Sequence, residues 1–190
     1  MAAIVDASVL ITLAKIRRLH LIKDLYGQGI IGPVVRREVV EEGKRIGAPG
    51  VQLVEQALHD GWLVVTRPRS QRLAERLSRT TELHPGEIEA ISIARERKAA
   101  FVVDDKEARH IADALGITYF GTAGLLLQAY RKKHLSLEEF EDSVAALTRV
   151  LWLSPTVVAT ILKKRGRNHE TACDGRHTTP QGPRQGIRAH

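Results

Sequence analysis

Ala3-Ile4-Val5-Asp6-Ala7-Ser8-Val9-Leu10-Ile11 is the stretch on which the architecture turns. A short β-branched run closed by an acid, with Leu10, Leu13 and Ala14 following at helical spacing, reads as a strand passing directly into a helix. The same change of period recurs along the chain. Residues 29–31, 62–66, 100–103 and 117–120 read as four further strands, separated by helix-length segments. None of these runs alternates between apolar and polar positions, as a strand with one wet face would. Burial on both faces by crossover helices accounts for that pattern, so an α/β fold with a central parallel sheet in a three-layer sandwich is expected. Turn and cap residues support the segmentation. Pro33 suits a first helical position and Gly43 a helix C-terminal cap. Gly61 and Gly116 suit helix ends, Ser136 with Glu139 makes a capping box, and Ser154-Pro155 marks another helix start.

The 190 residues are enough for one domain with some excess. Apolar residues at 43% and charged residues at 27% are close to globular averages, and no apolar run is long enough for a membrane span. Cys173 is the single cysteine and the first residues carry no basic-then-apolar leader, so a cytoplasmic protein without disulfides is expected. The net charge of +7 is unevenly spread. Seven Lys and Arg against Glu170 and Asp174 fall in residues 163–190, which leaves about +2 for residues 1–162. The latter are read as the folded domain and the former, rich in Gly, Pro, Thr, His and Arg, as a basic, disordered tail. Only eight aromatic residues are present, too few to suggest a stacking platform for nucleic-acid bases.

Acids fall where a parallel sheet presents its carboxyl edge. Asp6 ends the first strand and could simply cap the following helix, with Ser8 near enough to assist it. Glu38 shares the i, i+3, i+4, i+7 face of Val35, Val39 and Glu42, a costly place for a carboxylate unless it is paired, hydrated or bound to a cation. The neighbouring Glu41 and Glu42 allow the plainer reading of a solvated acidic face. Glu87 lies on the stripe of Ala90, Ile91 and Ala94 in the first turn of a helix beginning near His84-Pro85, where it also complements the helix dipole. Glu89 faces away from that stripe. Asp104 and Asp105 follow the run Phe101-Val102-Val103; one could cap the next helix, which does not readily explain both. Four segments thus send carboxylates to one sheet edge, the edge at which ligands bind in open parallel sheets. All-oxygen donors without a Cys or His constellation favour Mg²⁺ or Mn²⁺ over zinc.

Taken in order, Ile4-Val5-Asp6-Ala7-Ser8, Pro33 with Glu38, Gly86-Glu87-Ile88-Glu89-Ala90-Ile91, Val103-Asp104-Asp105-Lys106-Glu107-Ala108-Arg109 and Gly121-Thr122-Ala123-Gly124-Leu125-Leu126 resemble the PIN-domain family, in particular small prokaryotic members related to VapC toxins. The resemblance spans roughly residues 3–162. It implies five parallel strands in the order 3-2-1-4-5 and a metal-dependent endoribonuclease activity. It places the catalytic role on Asp6, Glu38, Glu87, Asp104 and Asp105, with Asp6, Glu87 and one or both aspartates of the doublet as ligands of Mg²⁺ or Mn²⁺. Ser8 and Thr122 stand behind them as supporting groups. Two departures are visible: Glu87 stands where many relatives carry aspartate, and the doubled aspartate replaces the usual Thr-x-Asp. A VapC-like role further implies a toxin of a type II toxin–antitoxin pair, a homodimer, an RNA substrate and an antitoxin protein that blocks the acidic site. A PIN-like module that binds RNA or a protein without cleaving it is the alternative.

RNA contacts must come from outside the acidic rim. Arg72, Arg76 and Arg79 share a helix face opposite Leu73 and Leu77, and Lys106 and Arg109 are further candidates; each could equally be a solvated surface residue. A phosphoacceptor receiver domain fits poorly, because Gly121-Thr122 stands where a lysine would end the fifth strand. No Walker-type phosphate loop is present.

Overall fold

A computed structural model describes residues 2–151 and 155–164. Five parallel strands, β1 (Ala2–Val5), β2 (Gln28–Ile31), β3 (Leu63–Val65), β4 (Ala100–Val102) and β5 (Tyr119–Phe120), form one sheet in the order β3-β2-β1-β4-β5. In the register, Ile4 stands beside both Ile30 and Phe101, Ile30 beside Val64, and Phe101 beside Tyr119. The expected strand positions are all occupied, with shorter edge strands.

The helices are α1 (Ala7–Lys15), α2 (Leu21–Tyr26), α3 (Pro33–Arg36), a π-helical stretch (Arg37–Glu42), α4 (Gly43–Arg45), α5 (Val51–His59), α6 (Arg72–Thr80), α7 (Pro85–Arg97), α8 (Lys106–Ala114), α9 (Thr122–Arg131), α10 (Leu137–Leu151) and α11 (Pro155–Lys164). They cover both sheet faces, because successive strand residues project to opposite sides. Val5, Ile31 and Val102 join Leu10, Leu13, Ile22, Leu126 and Phe140 in one core; Ile4, Ile30, Phe101 and Val103 join Ile88, Ile91, Ala108 and Ile117 in the other. Each fully buried Ile, Leu or Phe side chain is worth about 1.5–3 kcal/mol relative to exposure.

Gly61 and Gly116 take positive φ just past α5 and α8, and Ser136 and Glu139 exchange the two hydrogen bonds of a capping box ahead of α10. Gly43 does not end its helix. It is helical, at φ −57°, and buried, and a Cβ there would lie 2.8 Å from Val51 Cγ2. The stop falls instead at Gly47 (φ 64°), where the Gly47 and Ala48 N–H groups close back on the Lys44 and Gly43 carbonyls. The reason is the π turn, which inserts one residue into the helical repeat. Val35 and Val39 point inward as expected, but Val40 and Gly43 then take over the buried face and Glu42 turns to solvent.

The expected domain boundary at 162 falls two residues before the end of α11. Ser154 and residues 165–190, which hold most of the basic tail, lie outside the described residues. Among the described residues no helix is long and apolar enough to cross a membrane.

Candidate active site

The chain builds β1, β2 and β3 outward, then returns to lay β4 on the other side of β1. A crevice opens at that switch point, between the carboxyl ends of β1 and β4. It holds a cleft of about 520 Å³ lined by Asp6, Ala7, Ser8, Glu38, His84, Gly86, Glu87, Asp104 and Asp105. Five acids from four chain segments therefore meet in one place.

Asp6 is fixed first by its backbone, whose N–H donates to the Val102 carbonyl at 3.0 Å and so extends the β1–β4 ladder. Its buried carboxylate caps α1, with Oδ2 accepting from the Ser8 N–H at 3.0 Å and from the Ser8 hydroxyl. Asp105 caps α8, its Oδ1 accepting from the Ala108 N–H at 2.8 Å. Asp104 reaches across to the next crossover. Its Oδ1 accepts from the Thr122 N–H at 2.8 Å and its Oδ2 from the Thr122 hydroxyl, so it serves the first turn of α9. That contact needs a glycine at 121, where a Cβ would sit 2.8 Å from Asp104 Oδ1. Each aspartate of the doublet thus caps a different helix, which relieves the apparent redundancy of two adjacent acids.

Glu87, 9% exposed, has Oε2 accepting from the His84 N–H at 2.9 Å across the first turn of α7. Glu38 comes from the π stretch and rests against Gly86, where a Cβ would lie 3.3 Å from its Oε2. Among the described residues its carboxylate has no hydrogen-bond partner. Neither does Oδ1 of Asp6, Oε1 of Glu87 or Oδ2 of Asp105. Burial pushes the Glu38 carboxyl above the ordinary carboxylate range, and the Asp6 charge adds to that, while His84 and Arg37 oppose it. Burial likewise raises Glu87, the His84 hydrogen bond opposes it, and Asp6 and Asp105 add repulsion. These are the electrostatics of carboxylates withdrawn from water and set near one another, with His84 and Arg37 offsetting only part of the cost.

The acids lining the cleft offer only oxygen donors, and four of them carry an unengaged oxygen, which matches what a hard divalent cation takes. Among the described residues, no three His, Cys, Asp or Glu side chains form a ready-made coordination set as they stand.

Sequence reasoning gave no role at the site to Glu89 or His84, and read Arg109 as an RNA contact where the structure uses it to hold the backbone. Glu89 does leave the apolar stripe of α7, but it turns to α3, where Oε2 accepts from the Val34 N–H at 2.9 Å. It thereby supplies the cap that Gly32, preceding Pro33, has no side chain to provide. His84 lines the cleft as the residue before Pro85, a position only its N-cap spacing could have signalled. The Arg109 guanidinium donates to the backbone carbonyls of Asp104 and Asp105, at 2.8 and 3.1 Å, and so holds the doublet in place. Lys106 is exposed on the first turn of α8. Arg72, Arg76 and Arg79 are exposed on α6, which packs on α7. The start of α6 lies far from the cleft, since the Arg69 and Ser70 N–H groups donate to Glu96 near the far end of α7.

A larger groove of about 1230 Å³ opens at the opposite, amino edge of the sheet beside Ala2 and Ala100. Its one acid is Glu96, already engaged by those two backbone N–H groups, so it offers no comparable chemistry.

A family model described as DUF3368, PIN domain, matches residues 2–167. No curated protein matches the chain. Among solved structures, a PilT N-terminus domain protein from the hyperthermophilic archaeon Sulfolobus solfataricus is similar at 20% identity. That match covers 68% of this chain and 93% of the other, with a TM-score of 0.44.

Proposed function

The chain belongs to the PIN-domain family, a family of nuclease fold, and from that premise we propose that it is a Mg²⁺- or Mn²⁺-dependent endoribonuclease. The observation that carries this reading is the convergence of five carboxylates from four segments in one cleft at the switch point, four of them with unengaged oxygens. Asp6, Glu38, Glu87 and Asp105, with Asp104 behind Thr122, are the residues that would hold the metal. When bound, a divalent cation supplies positive charge to a phosphate oxygen and lowers the pKa of a water ligand.

The remaining steps belong to the chain itself. Ser8 holds the Asp6 carboxylate at the mouth of β1, and Arg109 fixes the backbone from which Asp105 projects. Glu87 or Asp105, both lining the cleft, would orient the attacking water and take a proton from it. In-line attack at phosphorus with departure of the 3′ oxygen leaves a 5′ phosphate, and no protein nucleophile is required. A protein inhibitor complementary to this cleft would present an Arg or Lys to it, as expected of the antitoxin in a toxin–antitoxin pair.

The test is cleavage of structured and unstructured RNA by purified protein, with and without Mg²⁺ or Mn²⁺, comparing the parent with Asp6→Asn and Glu87→Gln. Metal-dependent cleavage lost in both variants is expected. Cleavage that survives both substitutions would refute the assignment of the site.

A further inference from the structure

An acidic cleft cannot by itself hold a polyanion, so the phosphates on either side of the reacting one need cations close by. The basic side chains around the carboxyl edge divide into engaged and unengaged. Arg36 pairs with Glu41 at 2.9 Å, Arg45 with Glu42 at 2.8 Å and Lys44 with Glu55 at 2.6 Å. Arg109 is taken up by the carbonyls of Asp104 and Asp105.

Lys106, exposed on the first turn of α8 beside Asp105, is unengaged on the β4 side of the cleft; on the β2–β3 side the unengaged pair is Arg37 and Arg67. Both are exposed, and among the described residues neither makes an ion pair or side-chain hydrogen bond. Their backbone positions place them on one side of the cleft. Arg37 immediately precedes Glu38 on the π stretch. Arg67 follows Thr66, whose N–H donates to the Ile31 carbonyl at 2.9 Å and carries the β2–β3 ladder to its carboxyl end. Between them lie Gly32 and Glu89, and both guanidiniums act on the Glu89 carboxyl, with Arg37 acting on Glu38 as well. Both arginines therefore lie near Glu89, and Arg37 also lies near the Glu38 edge of the cleft. Neutralising Glu89 and Glu38 would be a sufficient role if either arginine closed on them, but neither comes within ion-pair distance. By contrast Arg72 opens α6, at the end that lies far from the cleft, and Arg76 sits at the middle of that helix.

We propose that Arg37 and Arg67 form a phosphate-binding flank on the β2–β3 side of the cleft, receiving the sugar–phosphate backbone of the RNA strand next to the bond that is cut. This rests on the nuclease reading above and gives its substrate a direction of approach.

Binding of an end-labelled single-stranded oligoribonucleotide to the full chain carrying Asp6→Asn, which keeps the RNA intact, is followed by fluorescence anisotropy over a KCl series with Mg²⁺ present. Thermal melts verify that each variant is folded. Adding Arg37→Ala with Arg67→Ala is expected to weaken binding and to flatten the slope of log K against log salt by about 1.4, near 0.7 per lost phosphate contact. Arg37→Lys with Arg67→Lys keeps the charge and should keep the slope. Arg72→Ala with Arg76→Ala and Arg79→Ala should leave it unchanged. An unchanged slope in the Arg37/Arg67 alanine pair, or a loss confined to the α6 triple, would overturn the flank while leaving the nuclease reading standing. Absence of RNA binding in the starting protein would remove that reading, and the flank with it.

Discussion

Replacing Gly32 by alanine tests how the two helices bearing Glu38 and Glu87 are locked together. At φ −84° and ψ 163° alanine meets no backbone strain, so any cost must come from its neighbours. The new Cβ would lie 1.9 Å from Glu89 Oε2, 2.4 Å from its Cδ and 2.7 Å from its Cγ. Glu89 must move, and its 2.9 Å hydrogen bond from the Val34 N–H is lost. Loss of a helix cap costs about 1 kcal/mol, and forcing extra volume into an occupied space costs about 1–3 kcal/mol. Reduced freedom of the unfolded chain returns about 0.4–1 kcal/mol. The net loss is about 1.5–3 kcal/mol, or roughly 3–12 °C in Tm for a chain of this size. Glu89→Ala alone should cost about 1 kcal/mol. In that background the clash with the Glu89 side chain is gone and Gly32→Ala should be close to neutral, so the double-mutant cycle shows a coupling of about 2 kcal/mol. Urea unfolding followed by circular dichroism measures all four corners. An equal penalty for Gly32→Ala in both backgrounds would refute Glu89 as the group that fills this space.

Further outcomes follow from the crowded acids. Glu38, Glu87 and Glu89 each have a carboxyl pKa raised chiefly by burial. Below the ordinary carboxylate pKa their contribution to stability is fully present. As pH rises through that value toward the raised one, the folded state holds more protons than the unfolded, and stability falls. Glu38→Gln should flatten this decline and raise Tm at neutral pH in EDTA, whereas a lower Tm would show that the Glu38 charge has a favourable partner. Added Mg²⁺ or Mn²⁺ should raise the parent Tm in thermal melts, and a metal series with no shift would remove the metal site. Asp105→Asn retains an N-cap and should abolish RNA cleavage with little change in Tm. Asp105→Ala should lose about 1 kcal/mol of stability as well, so equal Tm values for the two would argue against the capping role.

What could be read from the chain alone was whatever depends on neighbours a few residues apart. The strand-to-helix turn at Asp6, the Ser136–Glu139 exchange and the glycines at 61 and 116 all act within one or two turns of backbone, and all are found. The π turn was invisible, because a repeat of 3.6 residues laid over residues 35–42 gives no sign that one extra residue will be accommodated. Gly43 was consequently misread as a stop, although its small size is needed against Val51. Glu89 and Asp104 hold helix starts that lie 55 and 18 residues away along the chain, partners that only the assembled sheet brings near. For the acids, helix capping and a place on the rim were set against each other as rival explanations. Asp6, Glu87, Asp104 and Asp105 do both.

The π stretch holds a residue that the helix can lose. A π turn takes up one residue beyond the α repeat, so excising the exposed Glu41 should return the rod to about 100° per residue with everything downstream still in phase. Gly43 should then keep its seat beneath Val51. Glu38, upstream of the cut, should keep its direction. A one-residue deletion that would derail an ordinary helix should therefore be absorbed here, sparing both the acid and the joint with α5.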